Sequence, residues 1–114
     1  MAMIPRLFPG VLVLLLGTFL LAAPARAEEF EVQIHHTEVL NPGISPRVGD
    51  VLSFVNHAEI AHNLYLTYED GTVVTLDTQP PGTTKRAMLK QAGHVIVRCW
   101  IHPIIRMEFD VAPH

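Results

Sequence analysis

Cysteine is nearly absent from this 114-residue chain, which contains only Cys99. A single cysteine excludes an intramolecular disulfide, so the chain is not a disulfide-stapled secreted domain. Basic patches are absent too, because eight Lys and Arg residues are outnumbered by eleven Asp and Glu. With one tryptophan and a formal net charge of −3, the composition argues against nucleic acid as a partner. Phosphate-binding loops, nucleophile elbows and paired-carboxylate motifs are also missing, which argues against an enzyme.

The first 27 residues have the pattern of a secretory signal peptide. Arg6 supplies a positive N-terminal region, residues 11–23 are apolar, and Ala25-Arg26-Ala27 is a small-x-small cleavage site. A Pro-Gly pair shortens the apolar run below the roughly 20 residues that span a bilayer, so an uncleaved anchor is the weaker alternative. We therefore predict an exported, periplasmic protein whose mature part, residues 28–114, is one domain free of the membrane.

The mature part is small and acidic. It keeps six basic and eleven acidic residues, which gives a formal charge of −5. A domain of this size buries a thin core and gains from a bound metal. In an oxidising compartment, moreover, a lone thiol is a liability unless it is buried or bound. The single cysteine therefore directs attention to a metal site.

Apolar and polar residues alternate with a period of two along most of the mature chain, and no stretch has a convincing helical period. Turns rich in Gly and Pro separate the alternating segments. The pattern predicts one all-β domain, a Greek-key β-sandwich of about seven short strands. The segments are residues 29–35, 51–56, 62–68, 72–76, 85–90, 93–99 and 107–111.

Four potential metal donors occur near predicted strand ends. Cys99 and His102 share one tight loop whose exit is stiffened by Pro103, while His62 and Met107 each open a strand. Two histidines and a cysteine with a weak axial methionine form the donor set of a blue-copper electron-transfer site. Thiolate and thioether favour Cu(I), and imidazole accepts both oxidation states, so such a set changes little on electron transfer.

Other interpretations of the cysteine stay open on spacing alone. A Cys-x2-His pair is also half of a zinc-finger spacing, although the short signatures of zinc hydrolases are missing here. A free cysteine can also be a buried structural thiol, because it packs as a small hydrophobic residue.

The mature sequence resembles the small cupredoxins, the plastocyanin, amicyanin and pseudoazurin group. The resemblance is closest to short periplasmic plastocyanin-like proteins, some of which are labelled methylamine-utilisation proteins. It is carried by VGDVLSFVN, AHNLYL, QPPGTT and AGHVIVRCWIHPIIRM. It implies that His62, Cys99 and His102 bind one copper ion, with Met107 as the weak axial ligand. It also implies that Asn63 braces the cysteine loop and that electrons pass through the exposed edge of His102.

The axial position departs from part of the family. Many short relatives have a methionine three residues after the second histidine, where this chain has Ile105. Met107 fits the longer spacing of plastocyanin and pseudoazurin and brings a sulfur, so we predict Met107. Positions 105 and 107 have the same parity and face one side of a strand, so the alternation does not decide between them. With Ile105 at the axial point, the copper would be three-coordinate and its reduction potential higher.

The sequence thus predicts a monomeric single-electron carrier with one Cu(I)/Cu(II) centre. Its partners would be redox proteins that bind transiently, such as a c-type cytochrome or a dehydrogenase. We expect docking at the apolar rim of His102, formed by Ile101, Pro103 and Ile104, and steering by the acidic charge toward a basic partner face. A copper chaperone or storage protein and a metal-free interaction module are the alternatives.

Overall fold

A computed structural model describes residues 3–4 and 27–114 of the chain. Nearly all of the predicted signal peptide lies outside these described residues, so its cleavage stays a prediction. No helix long and apolar enough to cross a membrane occurs within the described ranges.

Eight strands form two four-stranded sheets that pack face to face. The first sheet has the order β2-β1-β3-β6 and the second the order β5-β4-β7-β8. All neighbouring strands are antiparallel except β1 and β3, which run parallel. The predicted all-β Greek-key sandwich is therefore confirmed. The strands are β1 (Glu29–His35), β2 (Glu38–Leu40), β3 (Val51–Asn56), β4 (His62–Thr67), β5 (Val73–Gln79), β6 (Thr84–Met88), β7 (Gly93–Cys99) and β8 (Arg106–Val111).

The core between the sheets is built from the alternating apolar positions. On β8, for example, Met107, Phe109 and Val111 point inward, while their neighbours are exposed. Each fully buried large apolar side chain of this kind stabilises the fold by about 1.5–3 kcal/mol. Cys99 and Ile105 belong to the same buried cluster and lie where β7 ends and β8 begins. The apolar core thus extends up to the lone thiol.

Two features of the strands differ from the sequence prediction. The short edge strand β2 follows a turn at His36, whose φ of 35° is left-handed, and three residues are too few for a visible alternation. Strand β5 continues to Gln79 through residues predicted to be a loop. It does so by a bulge at Leu76 and Asp77, which lie opposite Leu64, and Asp77 adopts a φ of 62°. The bulge re-aims the end of β5 that lies beside His62.

Both the backbone conformation at position 93 and the atoms around it require glycine there. Its φ is 113°, and a Cβ placed there would overlap the Glu69 carboxylate. That carboxylate accepts the backbone N–H of His94 at 2.9 Å. A side chain at position 93 would therefore strain the backbone and displace this hydrogen bond.

We expect Gly93→Ala to lower the free energy of unfolding by about 2 kcal/mol, because it combines a left-handed backbone with a lost charged hydrogen bond. Gly71→Ala is the matched control, since Gly71 has a φ of 90° but no atom within 4 Å of the added Cβ. The control should lose only about 1 kcal/mol. Chemical denaturation measures both values, and equal losses would contradict the steric part of the argument.

His94 lies between two carboxylates on the exposed face of β7 and β8. Its Nε2 is 3.0 Å from Glu108 Oε1 and its Nδ1 is 2.8 Å from Asp110 Oδ1. The hydrogen bond to Glu108, and then that to Asp110, raises the pKa of His94 above 6.5. Arg106, and then His94, lowers the pKa of Glu108 to about 2.

A histidine with a raised folded-state pKa stabilises the fold below its unfolded pKa, and the gain is lost as the pH rises through the folded value. His94→Gln should therefore lower the denaturation midpoint at about pH 5.5 and change it less at about pH 9. In a Glu108→Gln, Asp110→Asn background the pH dependence of this loss should disappear. If His94→Gln in the otherwise unchanged chain lowers the denaturation midpoint equally at both pH values, the ion pairs of His94 do not stabilise the fold.

Candidate metal centre

Three donor side chains converge at one end of the sandwich. His62 is the first residue of β4, Cys99 is the last residue of β7, and His102 lies in the loop that leads to β8. The pairing of β4 with β7 places Leu64 opposite Cys99, so His62 lies just beyond the paired region. Their donor atoms all lie within 4.8 Å of one another. Within residues 27–114 they form the one such group of three His, Cys, Asp or Glu side chains.

The spacing of these donors fits a metal ion. Cys99 Sγ is 3.9 Å from His62 Nδ1 and 3.7 Å from His102 Nδ1. With metal bonds of about 2.3 Å to sulfur and about 2.0 Å to nitrogen, a trigonal arrangement separates sulfur from nitrogen by about 3.7 Å. One thiolate and two imidazoles are also the equatorial donors of blue-copper sites. The residues present therefore fit copper in both distance and chemistry.

The thiol of Cys99 is held by the backbone of Asn63. The Asn63 N–H donates to Cys99 Sγ at 3.3 Å, and the Asn63 carbonyl accepts the N–H of Trp100 at 2.9 Å. The side-chain Oδ1 of Asn63 is buried and has no hydrogen-bond partner among the described residues. The contact between Asn63 and the cysteine thus comes from main-chain atoms and not from the amide side chain.

His62 is completely buried. Burial, and next the positive field of His102, lowers the pKa of His62 below its ordinary value. A neutral imidazole is the form that binds metals, so this environment favours a free donor nitrogen at neutral pH. The ring of His62 faces that of His102, with 4.8 Å between centroids and an interplanar angle of 55°.

His102 is the half-buried member of the group and is followed by a tight turn. Its carbonyl accepts the N–H of Ile105 at 3.0 Å, which closes a turn over Pro103 and Ile104. Proline is favoured at the second position of such a turn because its φ is already set. The turn thus places His102 on a short connection, and the residue is half-buried.

Met107 lies further along β8 from the loop that carries His102. It is 2% exposed and is paired with Val97, two residues before Cys99 along β7. Ile105 is also 2% exposed and lies nearer the loop. The role of Met107 as an axial ligand stays a prediction.

Two buried polar residues near His62, Asn56 and Gln79, have no role that the sequence predicted. Asn56 and Gln79 are both 0% exposed. The Asn56 amide donates to the carbonyls of Ile60 and Gln79 at 3.0 Å and its Oδ1 accepts the N–H of Ala58 at 2.9 Å. Gln79 Nε2 donates to two backbone carbonyls, each at 2.8 Å. Only the polar character of Asn56 at the end of an apolar strand could have signalled this bracing.

Trp100 does not cover the candidate metal centre. Its ring stacks on Tyr65, with 3.8 Å between centroids and an interplanar angle of 20°. Trp100 remains 56% exposed. The tryptophan therefore connects the start of the loop to β4 by packing on Tyr65.

Comparison with solved structures identifies the architecture. A reduced variant of amicyanin superposes with a TM-score of 0.63 at 17% identity, covering 80% of this chain and 87% of that one. Amicyanin from Paracoccus versutus gives a TM-score of 0.62 at 20% identity, covering 81% and 85% of the two chains. These likenesses confirm the cupredoxin fold. No protein-family model matches the chain.

Sequence relatives decide the family. A methylamine utilization protein, MauL, of Methylorubrum extorquens is 75% identical over 91 residues, which is 80% of each chain. The chain belongs to the MauL family of small cupredoxins. A MauL protein of Methylophilus methylotrophus is 38% identical over 90 residues, covering 77% of this chain and 51% of that relative. The chain thus spans about half the length of this second MauL protein.

In this member of the MauL family, the Asn56 network should contribute strongly to stability. We expect Asn56→Ala to lower the free energy of unfolding by about 3 kcal/mol, because three hydrogen bonds are lost and their backbone partners stay buried. Asn41→Ala is the control, since Asn41 also makes two backbone hydrogen bonds but is exposed. The control should lose less than about 1 kcal/mol, because water replaces its partners. Similar losses in a denaturant titration would contradict the bracing role of Asn56.

Proposed function

We propose that this protein is a periplasmic single-electron carrier with one type 1 copper centre that serves methylamine utilization. The main observation in favour of this proposal is that His62, Cys99 and His102 converge, with donor atoms within 4.8 Å of one another. The pathway is proposed because the relatives are methylamine utilization proteins. The proposed role is that of a carrier and not of an enzyme.

The protein residues would hold copper with little rearrangement. His62 and Cys99 lie on paired strands, and His102 lies on a short loop closed by a hydrogen bond. A copper ion bound there would supply a one-electron Cu(I)/Cu(II) couple. Because two donors lie on paired strands and the third on a short closed turn, we expect little change in the chain between the two oxidation states. The N–H of Asn63 would stabilise the thiolate of Cys99 by a hydrogen bond.

The proposed docking surface consists of the exposed apolar residues around His102. Trp100 is 56%, Ile101 52% and Ile104 78% exposed, whereas the His102 ring is half-buried between them. Transient redox contacts are small and allow rapid release. The formal charge of −5 on residues 28–114 favours a redox partner with a basic face, which it would attract over long range.

Copper binding is tested by titrating the purified domain, residues 28–114, with Cu(II) and recording the visible spectrum. We expect an intense thiolate-to-copper charge-transfer band that saturates at one equivalent. Cys99→Ser is the matched control, because it removes the sulfur and keeps a side chain of similar size. It should lack the band. A colourless parent, or a band that survives in the control, would contradict the proposal.

Electron carriage is then separated from copper storage by kinetics. The loaded domain should accept and return one electron within milliseconds in stopped-flow mixing with an oxidised or reduced small redox protein, and it should retain its copper against a Cu(I) chelator. Slow cycling with ready release of Cu(I) to the chelator would indicate copper handling instead. An Ile104→Ser variant should bind copper normally and react more slowly, because it disrupts only the proposed docking surface.

A further inference from the structure

The residue level with the candidate thiolate on the neighbouring strand is an isoleucine. The pairing of β7 with β8 joins Val97 to Met107 and Arg98 to Arg106. Continued by one residue, to Ile105 just before β8 begins, the same register brings Ile105 level with Cys99. Residues directly opposite one another on an antiparallel pair share a face, with Cβ atoms about 4.5–5.5 Å apart. Cys99 and Ile105 are accordingly both buried, at 3% and 2% exposure.

A second contact ties Ile105 to the loop histidine. The N–H of Ile105 donates to the carbonyl of His102 at 3.0 Å. A turn closed in this way keeps the first and fourth Cα atoms within about 7 Å. Ile105 is therefore opposite one proposed ligand and one turn away from another, on the inner face of the sandwich.

Met107 occupies the same inner face but one pair further from the loop. Its direct partner is Val97, which is fully buried, so it is diagonal to Cys99. Diagonal neighbours are about 7–8 Å apart between Cα atoms. The side chain of Ile105 stands on that face between Met107 and the end of the sandwich. The β-branched side chain of Ile105, which is stiff at χ1, is thus one pair nearer to the proposed centre than the Met107 thioether.

We infer that Ile105, and not the predicted thioether of Met107, lies next to the His62, Cys99 and His102 cluster, so that a copper ion bound there would have these three residues as its ligands. This inference rests on the proposed function. The thioether of Met107 then belongs to the apolar core. The axial ligand is one of the groups that set the potential of such centres. An aliphatic side chain beside a bound copper ion would favour Cu(I) over Cu(II). The more highly charged Cu(II) would gain no fourth donor there and would lie against apolar surface.

The experiment compares four copper-loaded proteins, namely the parent, Met107→Leu, Ile105→Met and Ile105→Leu. Met107→Leu removes the thioether at similar volume, and Ile105→Leu is the matched control for Ile105→Met because it keeps an aliphatic side chain at that position. Visible absorption, electron paramagnetic resonance and the reduction potential are recorded for each, with denaturation curves to establish that all are folded. None of these readouts depends on a partner protein.

We expect Met107→Leu and Ile105→Leu to keep the parent spectrum and potential. Ile105→Met should change the charge-transfer spectrum and lower the potential, because it supplies a sulfur to the axial side. A tenfold change in the preference for Cu(I) over Cu(II) corresponds to about 59 mV for a one-electron couple. We expect Ile105→Met to change that preference at least tenfold.

Two results would overturn the inference. If Met107→Leu raises the potential or changes the spectrum while Ile105→Leu does not, Met107 is the axial ligand and the blue-copper proposal stands without the inference. If Ile105→Met leaves both readouts unchanged, position 105 does not face the metal. A parent chain that shows no copper–thiolate band would instead contradict the proposed function, and the inference would fall with it.

Discussion

The register between β4 and β7 is the constraint on which the candidate centre depends. It sets Leu64 opposite Cys99 and continues into the hydrogen bond from Trp100 N–H to the carbonyl of Asn63. The same register turns the N–H of Asn63 toward the sulfur and leaves His62 at the rim of the sheet. A slip of one residue would move the Cys99 side chain to the opposite face of the sheet. The geometry of the site is therefore a consequence of strand pairing in the core.

The two histidines are held in place by different means. The loop before His62 is held by buried Asn56, which bonds the backbone of Ala58 and Ile60, and His62 itself pairs with buried Gln79 on β5. His102 is fixed by a proline-containing turn and remains half-exposed. One imidazole is thus sealed in the protein, while the other reaches the surface among exposed apolar residues. This asymmetry suits a centre that must exclude water and still exchange electrons with a partner.

Much of the fold follows from the sequence because a half-buried strand leaves a period of two. The bounds of β3 and β7 agree with the predicted segments 51–56 and 93–99, and Cys99 and His102 could be singled out by spacing and by the absence of a second cysteine. The bulge at Asp77 could not be foreseen, since a left-handed aspartate in a strand leaves no periodic signal. The main-chain hydrogen bond from Asn63 to Cys99 could not be foreseen either, because hydrogen bonds from backbone atoms do not depend on residue type. Ile105 and Met107 have equal parity, so only the strand register distinguishes their depths.

The sequence relatives and the fold both identify the chain as a small cupredoxin of the MauL family. The three converging donors point to its chemistry. X-ray absorption at the copper edge of the loaded domain tests that chemistry most directly, because it counts the donor atoms around the ion. We expect one sulfur at short distance and two imidazole nitrogens. A copper ion surrounded only by nitrogen and oxygen donors would contradict it, because Cys99 would then be a structural thiol and the chain would not hold a blue-copper centre.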